Sequence, residues 1–259
     1  MQNPADHGHC LAEIVEEAAR LILPLWRSGL AVDSKADNSP VTEADRRGER
    51  LILDRLEQFF PGTPVVSEEH ASEFGTPSAI GPRFFLVDPI DGTKAFVRGD
   101  RYFTVNIALI EDGRPVAGAI SAPALGQTWF TTAAGTLRRG PEADAQPVHV
   151  RPWRQGEAIG LVSHTMKEET AAALAEQYGF TDRRGVDSSL KLCLIAQGDA
   201  DIYPRHGPTM EWDIAAGHAL LEAAGGSLTN YDGSPVRYGK ADAGFLNGWF
   251  VARGGAPAA

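Results

Sequence analysis

An α/β fold, built from an N-terminal α+β half and a C-terminal α/β half, is predicted for this 259-residue chain by three observations. Apolar residues recur at helical spacing over the first sixty positions and then give way to short runs of β character. A stretch of small, polar and proline residues from Gly135 to Pro147 interrupts the pattern. Beyond it, strand-like and helix-like segments alternate, as they do in α/β domains. These observations divide the chain into residues 1–146 and residues 147–259.

The elements follow in order. Leu11, Ile14, Val15, Ala18, Leu21, Ile22 and Leu25 give Cys10 to Trp26 one apolar face, hence a first helix. Ser39-Pro40 breaks the chain, and Thr42 is the expected N-cap of a second helix that carries Leu51, Ile52, Leu56 and Phe59 and stops at Pro61-Gly62. Val65-Val66 and Phe84 to Val87 read as strands that end in acidic residues. Phe103 to Ile110 and Pro115 to Ala122 flank Glu111-Asp112-Gly113 as a hairpin, and Thr128 to Thr132 adds a strand. In the second half, Ala158 to Val162 is a strand, Lys167 to Tyr178 and Ser188 to Gln197 are helices, and Asp201 to Tyr203 is extended. Glu211 to Ala224 is a helix closed by Gly225-Gly226, and Gly244 to Ala252 forms the last strands.

Composition narrows the function. Acidic residues number 34 against 24 basic ones, a net charge of −10, which argues against a general nucleic-acid binder. No apolar run reaches the roughly 18 residues of a membrane span, and Met1 to His9 lacks the charged and apolar regions of a secretory signal, so the cytoplasm is the expected compartment. Two cysteines, Cys10 and Cys193, offer no disulfide framework and no zinc spacing, and both are expected as buried free thiols.

The chemistry concentrates in Asp88-Pro89-Ile90-Asp91-Gly92-Thr93, where an apolar strand runs into two carboxylates three residues apart. Pro89 fixes φ and Gly92 opens a turn closed to residues with a Cβ, so both acids can be held at one strand tip. Hard divalent cations such as Mg²⁺ take rigid oxygen ligands of this kind. Gly92 and Thr93 are expected to start a helix whose free N–H groups offer an anion site. Glu68, in Ser67-Glu68-Glu69, and Asp213, in Glu211-Trp212-Asp213, would complete an acidic cluster that repels itself unless cations neutralise it. Paired metals about 3.5–4 Å apart would also let a phosphate ester approach. Each acid taken singly has an ordinary reading as well. Asp213 could cap its helix, Asp45 could complement a helix dipole, and Glu68-Glu69 could be a solvated pair.

Asp88-Pro89-Ile90-Asp91-Gly92-Thr93 and Trp212-Asp213-Ile214-Ala215-Ala216-Gly217 together resemble the two signatures of the inositol monophosphatase family of Mg²⁺-dependent, lithium-sensitive phosphatases. Val41-Thr42-Glu43-Ala44-Asp45 and Glu68 stand in order with them, so the resemblance spans nearly the whole chain. Within the family the sequence looks most like the bacterial 3'(2'),5'-bisphosphate nucleotidases, through Lys35 to Thr42, Asp91 to Phe96, Ser188 to Cys193 and Tyr203 to Thr209. The resemblance implies a layered α-β-α-β-α sugar-phosphatase-like fold. It also implies Mg²⁺-dependent hydrolysis of the 3'-phosphate of adenosine 3',5'-bisphosphate to AMP and phosphate, a housekeeping step of sulfur assimilation.

By the same resemblance Glu68, Asp88, Asp91, Asp213 and the Ile90 carbonyl hold two or three Mg²⁺ ions, with Asp88 bridging. Asp45 and Thr93 orient or deprotonate the attacking water, assisted by Glu68, and the N–H groups of Gly92 and Thr93 hold phosphoryl oxygens. His164, Ser188, Lys191 and Arg205 look like the nucleotide contacts, with Lys191 and Arg205 on the 5'-phosphate. Two cations in an acidic protein can distinguish a bisphosphate from a monoester through charge-assisted bonds. Lys191 as an exposed helix residue, Arg205 as a loop charge and His164 as a strand-end residue are the ordinary alternatives. The sequence departs from relatives at His70-Ala71, at His206, where Phe is common, and at Asp187, where Gly often stands. An inositol or histidinol phosphatase, or a non-catalytic metal-dependent nucleotide sensor, remains an alternative, and monomer and homodimer are both open.

Overall fold

Residues 4–29, 31–34, 40–141, 143–153 and 156–255 are described by a computed structural model. Lys35 to Ser39, part of one motif above, lies outside the described residues. Helix α1 spans Pro4–Ile22; Pro24 converts the continuation into a 3₁₀ turn at Leu23–Leu25, so the helix ends before the predicted Trp26. A short hairpin, β1 (Val32–Ser34) with β2 (Pro40–Thr42), precedes α2 (Glu43–Phe59). Next come β3 (Val65–Ser67), α3 (Glu68–Phe74), β4 (Arg83–Asp91) and α4 (Thr93–Arg98). The antiparallel meander that follows is β5 (Thr104–Glu111), β6 (Arg114–Ala122), β7 (Gln127–Thr132), β8 (Gly135–Arg139) and β9 (Gln146–Val148). These join β3 and β4 in a seven-stranded sheet ordered β3-β4-β5-β6-β7-β8-β9, with only the β3–β4 pair parallel.

The stretch Gly135 to Pro147, read as a break in the pattern, therefore contributes two strands. Thr136 is fully buried and donates its hydroxyl to Leu220 O at 2.7 Å, anchoring an otherwise polar strand. The second half contains β10 (Ala158–Val162), α5 (Glu168–Tyr178), β11 (Phe180–Gly185), α6 (Leu190–Ala196), β12 (Ile202–Arg205) and β13 (Thr209–Met210). It continues with α7 (Glu211–Ala223), β14 (Ser227–Asn230), β15 (Leu246–Asn247) and β16 (Phe250–Arg253). A five-stranded mixed sheet runs β11-β10-β12-β16-β14, while β13 pairs with β15. Strand β11 was not legible as a strand because Thr181 to Arg184 carries no apolar alternation.

The layers follow from which face each strand covers. Along β4, Phe85 and Val87 join a core formed with Leu11, Ile14, Ile52 and Leu56 of α1 and α2. Phe84 and Leu86 face the opposite way, into a core shared with Leu192 of α6 and with Ile214 and Leu220 of α7. The unbroken apolar run of β4 is thus a strand covered on both faces. Helices α6 and α7 lie between the two sheets, and α5 covers the outer face of the smaller one through Leu174, Ala158 and Ile202. The order is α-β-α-β-α, as expected. Because α7 is shared between the sheets, groups from both halves of the chain reach one site. Cys193 is buried, whereas Cys10 is only half-buried. No helix among the described residues is long and apolar enough to cross a membrane.

Candidate active site

The site is built from strand ends and helix starts. Strand β3 ends at Ser67, which makes no side-chain cap bond, and the start of α3 is held from α2 instead. Glu49 Oε1 accepts from the amides of Glu69 at 3.0 Å and His70 at 3.2 Å. That buried carboxylate makes Glu68 the first residue of a helix rather than part of the solvated loop pair its sequence also allowed. Strand β4 carries Asp88 and Asp91 to its tip, and Gly92 turns the chain with φ +90°. A Cβ at Gly92 would lie 3.2 Å from Tyr102 O and 3.3 Å from Ser188 Cβ, so both the backbone angle and the space require glycine.

Asp45 and Asp213 reach the site by the same local device. Each is the third residue of its helix and bonds back to the N-cap amide: Thr42 N to Asp45 Oδ2 at 2.7 Å, and Met210 N to Asp213 Oδ2 at 2.8 Å. Asp213 is therefore not the N-cap its sequence allowed, since Met210 holds that place, while Asp45 does stand in the first turn as its dipole reading has it; neither bond competes with a role in the site, because each occupies one oxygen. The other oxygen of Asp45 accepts the Thr93 hydroxyl at 3.3 Å; that hydroxyl also lies 3.0 Å from Ile90 O. Asp45 is fully buried and Thr93 nearly so.

Glu68, Asp91, Gly92, Thr93, Ser188, Lys191, Arg205 and Asp213, eight of the residues singled out above, line one cavity of about 690 Å³. Asp88, Ile90 and Asp45 are buried. His164 is placed differently: its exposed side chain borders a neighbouring recess with Trp26, Arg101 and Tyr102. Its amide is tied to the cavity, donating to Asp187 Oδ1 at 3.2 Å. Helix α4 is only six residues long, so a phosphoryl group beside Gly92 and Thr93 would meet individual first-turn N–H groups rather than a developed helix dipole.

The carboxylates are mutually destabilised. Burial, then Glu68, Asp91 and Asp213, push the Asp88 carboxyl well above the usual range, as does a hydrogen bond with Glu68. Asp213 is raised by burial, Asp91 and Glu68. Asp91 is pushed up to about 6 by burial, against the pull of Lys191 and the Ser189 amide that bonds it. Asp88 Oδ1 is buried with no hydrogen-bond partner. Among the described residues no three His, Cys, Asp or Glu side chains are disposed as a ready metal-ligand set. The donor chemistry nonetheless fits a hard divalent cation: all oxygen, several carboxylates, and one buried oxygen lacking any partner. Glu68, Asp88, Asp91, Asp213 and Ile90 O could hold such ions.

Facing the acids are two cations. Lys191 is buried, on α6, and its Nζ donates to Ser188 O at 2.7 Å and Val186 O at 3.1 Å, 5.1 Å from the Tyr203 ring centroid. Burial lowers its pKa to about 8, while Asp91 and Asp187 oppose the shift. The exposed-face alternative for Lys191 is thereby excluded. Arg205 Nη2 donates to Pro208 O at 3.1 Å, and its Nε is buried without a partner. Asp187 accepts Arg98 Nη2 at 2.9 Å, joining α4 to the loop before α6. Ser188 adopts φ +59°, and Ser189 bonds Asn106 Oδ1 at 2.8 Å. Sequence reasoning missed Glu49, Arg98, Asn106 and Ser189. For Ser189 the signal was present, in the paired serine ahead of Lys191.

His206, one of the departures, points into an aromatic cluster. It stacks on Trp249 at 4.6 Å, and its Nε2 lies 2.6 Å from Tyr178 Oη. The change from Phe therefore sits among aromatic rings and leaves the acidic cluster untouched.

Comparison with known proteins places these observations. A model of the inositol monophosphatase family matches residues 8–252. The chain is 36% identical over 242 residues to the 3'(2'),5'-bisphosphate nucleotidase CysQ of Escherichia coli (strain K12), covering 93% of this chain and 96% of that protein. A histidinol-phosphatase of Mycobacterium tuberculosis is 36% identical over 216 residues, 79% of each chain. Among solved structures, CysQ from Bacteroides thetaiotaomicron, described as a bacterial member of the inositol monophosphatase family, superposes with a TM-score of 0.77 at 31% identity. It covers 96% of this chain and 97% of that one. The chain is therefore a phosphatase and belongs to the inositol monophosphatase family.

Proposed function

We propose that this phosphatase removes the 3'-phosphate of adenosine 3',5'-bisphosphate, giving AMP and phosphate, and that it does so with Mg²⁺. The observation that carries the substrate reading is Lys191: a buried ammonium, with Arg205 beside it, in the same cavity as the carboxylate cluster. A monoester engaged at the carboxylates would leave both cations facing only the site's own carboxylates, with no ion pair to either, whereas a second phosphate would meet them directly with charge-assisted bonds. Similarity to the CysQ nucleotidases supports the same reading.

Glu68, Asp88, Asp91, Asp213 and the Ile90 carbonyl would hold two or three Mg²⁺ ions, which when bound neutralise the cluster and polarise the phosphoryl group. The rest is done by the chain's own residues. The Thr93 hydroxyl has one proton and two acceptors within reach, Asp45 Oδ1 and Ile90 O. Donating to Asp45 leaves Ile90 O free as a ligand and lets Thr93 Oγ1 accept from the attacking water. Asp45 is the terminal acceptor, held in place by Thr42 N and Thr42 Oγ1 at 2.7 and 2.6 Å. The amides of Gly92 and Thr93 receive phosphoryl oxygens. Lys191, Arg205 and Ser188 hold the 5'-phosphate, while His164 contributes through its amide to Asp187 at the cavity wall rather than through its side chain. We place the reaction in the cytoplasm, clearing the bisphosphate left by sulfur assimilation, with lithium as an inhibitor.

The competing substrate is a monoester such as histidinol phosphate or inositol monophosphate, since a histidinol-phosphatase stands at the same 36% identity. Lys191→Ala separates the two. On the bisphosphate reading it costs about 2 kcal/mol or more of transition-state stabilisation, some thirtyfold in kcat/KM, on bisphosphates alone. An unchanged kcat/KM on the bisphosphate would reject it.

A further inference from the structure

We propose that Glu211, Lys240 and Asn247 form a positioning network, buried at Glu211 and Asn247 and half-buried at Lys240, that sets where the Asp213 carboxylate stands, and through it the affinity of the site for its divalent cation. The proposal rests on the metal reading given above but not on the identity of the substrate.

Asp213 is fixed by the amide of Met210, at the point where β13 becomes α7. Met210 is fixed in turn from behind. Its carbonyl accepts Asn247 Nδ2 at 2.8 Å, and the same amide group donates to Thr209 Oγ1 at 3.2 Å. Asn247 Oδ1 accepts Lys240 Nζ at 3.1 Å, and that ammonium ion-pairs with Glu211 Oε1 at 2.7 Å. Glu211, 0% exposed, also accepts the amides of Gly239 at 2.7 Å and Lys240 at 3.0 Å, while its own amide donates to Phe245 O at 2.9 Å. The bonds close a ring around the strand-to-helix junction two residues before Asp213.

None of the three side chains lines the large cavity, so they do not touch substrate. Stability is a poor reason for the ring, because a buried ion pair is often no better than apolar groups of the same shape. Register is the better reason. Successive helix residues are rotated by about 100°, so a small slip in the first turn of α7 swings Asp213 away from the acids on β4. Groups that orient a metal ligand from behind typically alter affinity by about 10–100-fold when removed.

The test measures Mg²⁺ binding directly, by titration calorimetry on substrate-free protein, together with the Mg²⁺ concentration for half-maximal hydrolysis of a small aryl phosphate. Lys240→Met and Asn247→Leu are expected to weaken Mg²⁺ binding about tenfold or more, with kcat at saturating Mg²⁺ within about twofold of wild type. Lys240→Arg, which keeps the ion pair, should stay within about threefold. Lys240→Met strands the Glu211 charge and is the variant at risk of not folding; Asn247→Leu strands no charge and carries the test alone in that case. Folded variants with wild-type Mg²⁺ affinity and a lowered Tm would overturn the proposal, showing a structural role only. A wild-type protein that binds no Mg²⁺ would overturn the metal reading and this inference together. Failure of the nucleotide assignment leaves the calorimetry unaffected.

Discussion

Raising the pH of the metal-free protein is expected to destabilise it, although most acidic proteins gain stability on leaving the acid range. Asp91 sets the scale. Its carboxyl is raised from 3.8 to about 6 by burial and Glu68, against Lys191 and the Ser189 amide. A carboxyl raised by folding contributes stability that is fully present below its unfolded pKa and is lost as pH climbs through the folded value. The difference is worth about 3 kcal/mol at most, and Asp88 and Asp213 are displaced in the same direction. About 1.4 kcal/mol of this is lost above pH 5, and for a domain of this size each kcal/mol moves Tm by roughly 2–4 °C, so a fall of about 3–6 °C from Asp91 is expected between about pH 5 and pH 7.5. Two opposing contributions have to be separated from it. Glu17 and Glu222, both lowered, by Arg55 and by His218 respectively, lose stability only in more acidic solution, and His206, lowered by burial, gains stability as pH rises. The assay is therefore thermal melting in EDTA of wild type and of Asp91→Asn, which removes the raised carboxyl while leaving an oxygen to accept from Ser189. The wild-type Tm should fall relative to the variant across this window, and millimolar Mg²⁺ should abolish the fall. A wild-type Tm that stays level with or rises against that of Asp91→Asn would refute the reasoning.

Two further substitutions probe the strand tip. Gly92→Ala puts a Cβ 3.2 Å from Tyr102 O at a φ of +90°, and should cost roughly 1–3 kcal/mol in urea denaturation; a loss below about 0.5 kcal/mol would show that the turn relaxes. Thr93→Val keeps the shape but removes the hydroxyl between Asp45 and Ile90. It is expected to lower kcat by about 10²–10⁴-fold at saturating Mg²⁺ with KM little changed, and steady-state kinetics showing a KM effect alone would contradict the proton path through Thr93.

Much of this was legible in the sequence because the informative residues are local. The Thr42 cap, the strand of apolar residues ending in Asp88, the turn at Gly92 and the helix beginning near Glu211 all follow from neighbours within a few positions. What could not be read was carried by long-range partners. Glu49 looks like any helical glutamate until the amides of Glu69 and His70, twenty residues on, are found to need an acceptor. Strands β8 and β11 carry too little apolar alternation to announce themselves and are defined by pairing with β7 and β10. Lys191 could have been a surface charge, and only the packing of α6 between the sheets buries it. His164 illustrates the converse: its amide is tied to Asp187 beside the cavity, while its side chain follows the local surface into a different recess.

The most direct test of the central claim is phosphate release from adenosine 3',5'-bisphosphate, inositol 1-phosphate and histidinol phosphate, measured side by side with Mg²⁺ and with EDTA. A strong preference for the bisphosphate that chelation abolishes is the predicted result. Preference for a monoester would contradict the pairing of Lys191 and Arg205 with a second phosphate, and release that survives EDTA would contradict the carboxylate cluster as a metal site.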